Sequence, residues 1–181
     1  MAIENNLCTG WEERKQTSPT VMEVRLTGDV GPDMAHQLFA EIDDHLSAYP
    51  TLNTIKILLS SIGGEVESGF MIHNYLQGLH QRHGLQVITH NVGSVQSAAV
   101  DIYCAGNQRI TSPYTFFMVH DGQFELDKGA YDVKAVQDLD EENVVTSNAG
   151  YALFSACTNL TVTDVDKMFT EQTYIDPDQA L

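Results

Sequence analysis

The chain lacks a long apolar run and has few basic residues. Both features argue against certain classes of binding partner. No stretch of the 181 residues approaches the ~18 apolar residues of a membrane-spanning helix. Only 9 Lys and Arg oppose 25 Asp and Glu, which gives a formal net charge of −16 at pH 7. Because such a charge repels polyanions and anionic lipids, we expect neither nucleic acid nor a membrane as a partner.

Sequence motifs for metal ions and nucleotides are also missing. The chain contains no His-Glu-x-x-His, no Cys-x-x-Cys and no phosphate-binding Gly-x-x-x-x-Gly-Lys, so we expect no metal and no cofactor. The three cysteines, Cys8, Cys104 and Cys157, show no metal-like spacing, and the last two fall in apolar helical patterns. We predict that these two are buried thiols in a reducing compartment.

The N-terminal residues do not resemble a secretion signal, because no basic region is followed by an apolar stretch. We therefore expect the protein to be cytoplasmic. Residues 1–20 are polar and aperiodic, and we predict an N-terminal arm there, ahead of a single domain over residues 21–181.

Strand and helix patterns alternate along the first part of that domain. Period-two apolar residues or short apolar runs predict strands, and apolar or small residues at helical spacing predict helices. The strands are expected near 21–26, 55–59 and 85–88, and the helices over 32–49, 66–79 and 97–105. Three such repeats predict an α/β fold with a mainly parallel sheet and flanking helices.

The second half contains two more strand patterns and one long helix. The strands are expected at 109–111 and 115–119, directly before His120. A helical pattern over about 131–157 predicts a helix of ~40 Å, with Gly150 as a candidate kink. A helix this long is expected to project and to contact another subunit. Thr163 and Asp166 have capping-box spacing, which predicts a final helix over 164–169.

Ser97 is the candidate nucleophile, since it lies between an apolar run and a helix that opens with Ala98 and Ala99. Small neighbours leave its hydroxyl accessible, and the helix N-terminus favours negative charge. Serine is also a common helix N-cap, and this segment alone favours a cap over a nucleophile. Ser94 fits either role, and Gly93 permits a turn in both cases.

Two further segments supply the groups that a serine nucleophile needs. Gly63 and Gly64 follow an apolar strand, where glycine leaves backbone N–H groups accessible for an oxyanion. His120 alone among the seven histidines directly follows a five-residue apolar strand, at the edge where sites form in parallel sheets. A histidine there is a candidate general base.

These segments together resemble the Clp protease proteolytic subunit family. The similarity lies in Ser60-Ser61-Ile62-Gly63-Gly64-Glu65-Val66, Gly93-Ser94-Val95-Gln96-Ser97-Ala98-Ala99 with Ala105-Gly106, and Phe117-Met118-Val119-His120, and it extends from about residue 21 onward. The resemblance implies a fold of the Clp and crotonase kind, with the long helix joining rings. It also implies Ser97 as nucleophile, His120 as base, and the N–H groups of Gly64 and Ala98 as the oxyanion hole.

The chain departs from the family pattern at the third member of the catalytic triad. The family has an Asp two residues before an aromatic residue, and Gln172 occupies that position before Tyr174. An amide accepts a hydrogen bond from the histidine but does not stabilise the imidazolium. Gln172 and Asp176 are the candidates for the third position, and Glu171 and Asp121 are alternative carboxylates.

The resemblance implies a serine peptidase that hydrolyses unfolded proteins or peptides inside a homo-oligomer of stacked rings, with an ATP-dependent unfoldase as partner. A second hypothesis is a catalytically weak or inactive ring subunit that acts as a scaffold, because Gln172 lacks charge. A third is an acyl-CoA enzyme of the crotonase type. That enzyme needs a CoA phosphate site, and the 9 basic residues are scattered along the chain.

Overall fold

The computed structural model describes residues 20–123 and 129–180. The arm predicted for residues 1–20 lies outside the described residues, apart from Thr20. Within the described ranges, the chain forms six strands and five helices. In chain order they are β1 (Val21–Thr27), α1 (Pro32–Ala48), β2 (Thr54–Ser61), α2 (Val66–His83), β3 (Gln86–Gln96), α3 (Ala98–Cys104), β4 (Gln108–Thr111), β5 (Phe116–Val119), α4 (Val133–Cys157), α5 (Val162–Thr170) and β6 (Thr173–Ile175).

The strands form one sheet in the order β1-β2-β3-β5-β6. Strand β4 also pairs with β3, along residues 88–91, whereas β5 pairs with residues 94–96 at the carboxyl end of β3. Every pairing is parallel except that of β5 with β6. This arrangement confirms the predicted α/β class with a mainly parallel sheet.

The hydrophobic core lies between one face of this sheet and the helices. Alternate residues of β2, Ile55, Ile57 and Leu59, are fully buried and pack in one cluster with Leu38 of α1 and Ile72 of α2. Burying each such side chain contributes about 1.5–3 kcal/mol. Packing in the core therefore fixes the position of the strand ends, and the site residues lie at those ends.

Strand β3 is longer than the sequence pattern predicted. The apolar run ends at Ile88, but the strand continues to Gln96. An irregularity between Leu59 and Ser61 of β2 is matched by extra residues in β3, and a methyl group on Gly93 would lie 2.4 Å from the Ser60 Oγ atom. The prediction was wrong because this stretch carries polar and small residues, which close backbone approach and a bulge accommodate.

Helix α4 spans 25 residues, or about 37 Å. It is one continuous helix through Gly150, and the kink at that residue stays a prediction. Only Gly150 and Phe154 of this helix are buried, and both lie in its second half. The first half exposes Val133, Val136, Val144 and Val145.

Helix α5 begins two residues earlier than predicted. The capping box is formed by Thr161 and Asp164, not by Thr163 and Asp166: the Thr161 Oγ1 atom accepts from the Asp164 backbone N–H, and the Asp164 carboxylate accepts from the Thr161 N–H. Both pairs have the same spacing, so the sequence alone did not separate them. Hydrogen bonds to the Asp164 carboxylate, first from the Thr161 hydroxyl and then from the Thr161 backbone N–H, lower its pKa.

The prediction of buried thiols at Cys104 and Cys157 was wrong, because the two residues form a disulfide. The bond joins the C-terminal end of α3 to that of α4 across a sequence separation of 53 residues. Helical periodicity gave no signal for this pairing, since it depends on how two distant helices pack. The cysteine-based argument for a reducing compartment is therefore lost.

Across residues 20–123 and 129–180, no helix combines the length and the apolar character that crossing a bilayer requires.

Candidate active site

Ser97 occupies a sharp junction between two elements. Strand β3 ends at Gln96 and helix α3 begins at Ala98, so the chain turns at Ser97 itself. Its backbone has φ 51° and ψ −132°, a conformation that residues other than glycine seldom adopt and that costs on the order of 1–3 kcal/mol. The Ser97 N–H donates to the Met118 carbonyl at 2.8 Å, which helps to hold the turn.

The Ser97 side chain does not cap helix α3. The residue stands at the N-cap position, but its hydroxyl makes no capping hydrogen bond. Instead, the Ser97 Oγ atom lies 2.9 Å from the His120 Nε2 atom. A strained strand-to-helix turn that displays a serine in this way is a known setting for a nucleophile.

His120 reaches Ser97 because their strands are neighbours. Strands β3 and β5 pair in parallel with Gln96 beside Met118, so their carboxyl ends lie together at one edge of the sheet. When the neutral imidazole carries its proton on Nδ1, the Ser97 hydroxyl donates to Nε2. That is the arrangement in which a histidine accepts the proton of a serine nucleophile.

The loop at Gly63 and Gly64 packs directly against this junction. A methyl group on Gly63 (φ 99°) would lie 2.6 Å from the Ser97 Cβ atom, and one on Gly64 (φ 151°) would lie 2.1 Å from the Val30 carbonyl oxygen. The loop is anchored to Val30, whose N–H donates to the Gly63 carbonyl at 2.8 Å. Only glycine fits at either position, and the Gly63 backbone therefore lies against Ser97 and Ala98.

The N–H groups of Gly64 and Ala98 are the candidate oxyanion donors. Ala98 is the first residue of α3, where a backbone N–H has no partner within the helix. Neither N–H donates to another of the residues that the structure describes. Both groups are thus available to an acceptor placed beside Ser97.

The two candidates for the third triad position do not hydrogen-bond to His120. Continuing the antiparallel pairing of Val119 with Thr173 places Gln172 beside His120, but its Nε2 atom donates to the Tyr174 hydroxyl at 3.2 Å. The Asp176 Oδ1 atom accepts from the Gln179 backbone N–H at 2.9 Å.

The alternative carboxylates are also engaged elsewhere. The Asp121 carboxylate accepts from the Tyr151 hydroxyl at 2.5 Å, and Glu171 lies 3.8 Å from the Lys167 ammonium. Burial, and then the bond and charge of Asp121, raise the pKa of Tyr151 to about 12. In the part of the chain that is described, Ser97 is the one hydrogen-bond partner of the His120 ring.

A pocket that is open to solvent lies beside Ser97 and His120, both of which line it. Helices α2, α3 and α4 form most of its wall. The lining includes the apolar side chains of Val66, Phe70 and Val100 and the polar side chains of Asp101, Thr146 and Ser147.

Asp101 is a buried carboxyl in this wall that the sequence interpretation passed over. It is 8% exposed, and burial raises its pKa to about 8. The signal was present in the sequence: Asp101 is the one charged residue in a run of small and apolar residues, four positions after Ser97. Both residues line the pocket.

Metal-binding groups are not clustered in residues 20–123 and 129–180, where no three His, Cys, Asp or Glu side chains are placed to hold an ion.

Comparisons with known proteins identify the family and the fold. The model of the Clp protease family matches residues 16–181. Among solved structures, the chain is similar to a ClpP1 mutant from Listeria monocytogenes, with a TM-score of 0.74 and 21% identity, over 87% of this chain and 84% of that one. This likeness shows the shared fold. No curated protein matches the chain.

The family match covers both the junction at Ser97 and the strand before His120, and the sheet and helices that carry them match a ClpP1 structure. The chain belongs to the Clp protease family.

Proposed function

We propose that this protein is a serine peptidase that hydrolyses peptide bonds of unfolded proteins or peptides inside a homo-oligomer of stacked rings. The observation that carries the proposal is the 2.9 Å distance between the Ser97 Oγ and His120 Nε2 atoms at a strained, glycine-flanked turn. Family membership favours this activity over an acyl-CoA enzyme. It also favours the ring, with an ATP-dependent unfoldase as the partner that delivers substrate.

The reaction follows from the positions of the groups. As the Ser97 Oγ atom bonds to the substrate carbonyl carbon, His120 Nε2 takes the hydroxyl proton. The N–H groups of Gly64 and Ala98 donate to the oxyanion of the tetrahedral intermediate. His120 then gives its proton to the leaving amine, and water releases the acyl group from Ser97 by the same steps.

Among the described residues, the lack of a carboxylate on the side of the His120 ring away from Ser97 limits the rate of this reaction. A carboxylate there stabilises the imidazolium and fixes the tautomer, and replacing one by an amide costs about 10⁴ in turnover in another serine protease. Gln172 donates to Tyr174 and supplies no such charge. We therefore expect a slow peptidase.

The missing charge beside His120 also supports a second candidate function. A catalytically inactive ring subunit that serves as a scaffold retains Ser97 and His120 but turns over no substrate. The lack of a carboxylate hydrogen-bonded to His120, among the residues described, is what favours it.

Labelling and hydrolysis separate the two candidates. The assembled protein is treated with a fluorophosphonate probe, the labelled residue is located by mass spectrometry, and cleavage of fluorogenic peptides and of an unfolded protein is measured. We expect labelling at Ser97, and loss of both labelling and hydrolysis in Ser97→Ala. Ser94→Ala is the matched control and is expected to retain both.

Each result leads to one conclusion. Hydrolysis that persists unchanged in Ser97→Ala contradicts the proposed nucleophile. An assembled protein that neither reacts with the probe nor cleaves any peptide supports the scaffold.

A further inference from the structure

Asp101 lies in the first turn of α3, four residues after Ser97. A methyl group on Gly69 of α2 would approach the Asp101 Oδ2 atom to 3.2 Å. Because residue 69 has no side chain, α2 leaves space for the carboxyl where the two helices cross. The His73 Nδ1–H donates to the Asp101 carbonyl at 2.8 Å and fixes this turn of α3 against α2.

The Asp101 carboxyl has no partner in the described chain. No described residue donates a hydrogen bond to it, although it is only 8% exposed. The pocket wall contains no Lys or Arg, and its other acidic residue, Asp121, already accepts from Tyr151. An unpartnered buried carboxyl is costly, and a hydrogen-bonding or charged partner removes that cost.

The residues that line the pocket indicate which partner fits. Ser97 and His120 contribute the reacting groups, and Val66 and Phe70 contribute apolar side chains. Asp101, in the first turn of α3, lines the same pocket. A long side chain with an aliphatic stem and a cationic tip matches this combination of surfaces, because its stem packs on apolar groups while its tip meets the carboxyl.

We propose that this pocket receives the lysine or arginine side chain that precedes the cleaved bond, with Asp101 as its counter-charge. This inference rests on the proposed function and names its substrate class. Asp101 acts on specificity, and the chemical step remains with Ser97 and His120.

A cation fits the pocket better than a neutral amide. In the free protein, burial keeps much of the carboxyl protonated near pH 7. An incoming ammonium or guanidinium stabilises the ionised form, so the proton leaves as the ion pair forms. A neutral amide offers only a hydrogen bond, which is roughly half as strong as a charge-assisted one. The net charge of −16 adds a field that attracts cationic peptides.

The test compares peptides that differ only before the cleaved bond, with Lys, Arg, Gln or norleucine at that position. The measured quantity is the ratio of kcat/KM for Lys to kcat/KM for norleucine in one protein sample, which does not depend on the folded fraction. We expect a ratio above 10 in the wild type and near 1 in Asp101→Asn, a change close in size and shape. Asp44→Asn, which makes the same change at an exposed position of α1 outside the pocket, is the control and is expected to keep the wild-type ratio.

A binding measurement separates this inference from the proposed activity. In Ser97→Ala, peptides that end in Lys or in norleucine are titrated and binding is followed by calorimetry. Preferential binding of the Lys peptide that is lost in Ser97→Ala/Asp101→Asn supports the pocket assignment, even if the wild type cleaves nothing.

Equal use of norleucine and Lys by an active wild type overturns the inference and leaves the peptidase intact. A preference for Gln, or a Lys preference that survives in Asp101→Asn, also overturns it. If no hydrolysis occurs, equal binding of both peptides overturns it as well.

Discussion

Residue 172 is the next position beyond the last β5–β6 pair, Val119 with Thr173, so extending the register places Gln172 opposite His120. Gln172 presents an amide where a carboxylate would stabilise the imidazolium. Its backbone has φ 50°, a left-handed conformation in which Asp and Asn are several-fold enriched among residues other than glycine. An aspartate at this position therefore fits the backbone that is already present. The residue is exposed, and its side chain bonds only to Tyr174.

We expect Gln172→Asp to raise kcat for a fluorogenic peptide by 10-fold or more, because the new carboxylate can accept the His120 Nδ1–H and stabilise the imidazolium. Steady-state kinetics on the assembled protein is the measurement. Gln108→Asp makes the same chemical change on exposed β4 and is expected to leave kcat unchanged. A Gln172→Asp protein no faster than the wild type shows that residue 172 does not reach His120.

Asp101 makes stability depend on pH. Burial raises its pKa from 3.8 to about 8 in the folded state, so between those values the folded protein holds a proton that the unfolded chain has released. Since stability falls with pH wherever the folded state binds more protons, this residue lowers the free energy of unfolding by about 1.4 kcal/mol per pH unit across that window.

We expect Asp101→Asn to remove this slope. Its stability relative to the wild type rises as the pH increases from about 4 to about 8, and the difference is constant outside that range. Urea unfolding at a series of pH values measures it. Parallel curves for the two proteins between pH 4 and pH 8 contradict a raised pKa at Asp101.

The sequence reveals residues whose role depends on local position. Ser97, Gly64 and His120 each follow a strand, so strand patterns in a parallel sheet are enough to predict that they meet at one edge. The hydrogen bonds of Gln172 and Asp176 could not be predicted in this way. They depend on side-chain rotamers and on a short antiparallel strand, and a periodic pattern of apolar residues carries no information about either. Asp101 was passed over because a single carboxyl in an apolar helix has meaning only once the pocket beside it is known.

At the scale of elements, the Cys104–Cys157 disulfide ties α3, which begins beside Ser97, to the C-terminal end of α4. Closing a loop with a separation of 53 residues stabilises a protein by about 4 kcal/mol in the chain-entropy model.

Breaking this disulfide is expected to lower the free energy of unfolding by 2–4 kcal/mol, on the usual scale for native disulfides. Urea unfolding with and without a reductant measures the effect, and Cys104→Ser/Cys157→Ser should match the reduced wild type. Cys8→Ser is the control and should retain sensitivity to the reductant. Identical unfolding of reduced and oxidised wild type shows that the bond does not form in solution.

The order and type of the elements were predictable, because each buried face repeats at the period of its helix or strand. Their ends were less so. Strand β3 continues eight residues past Ile88, because Val95 is buried and the Asn91 amide donates to the Phe116 carbonyl. The start of α5 was misplaced because Thr161 and Thr163 each have an Asp three residues later, and only the backbone conformation selects between them.

At the scale of the whole molecule, the first half of α4 carries an apolar stripe that no described residue covers. Val133, Val136 and Val144 lie on one face, since they are three and eight residues apart. Val136 is 49% exposed and Val144 is 51% exposed. In the proposed stacked rings, we expect a second subunit to pack against this valine stripe.

Val136→Asp/Val144→Asp is expected to convert the assembly into smaller particles, because burying the new charges at a subunit contact is costly. Light scattering coupled to size exclusion gives the mass. Val162→Asp, at a site of 52% exposure on α5, is the control and should retain the wild-type mass. An unchanged mass in the double variant excludes this face of α4 as the ring contact.

Helix α4 runs without interruption from the valine stripe to the pocket wall at Thr146, Ser147 and Gly150. A subunit contact that shifts the outer half of this helix would shift the inner half with it, and with that half the pocket in which we propose that a substrate side chain binds. The two equilibria then share one coupling free energy, which has the same size in both directions. To whatever extent assembly tightens the pocket, an occupied pocket must strengthen assembly by the same factor, so that peptide affinity depends on protein concentration.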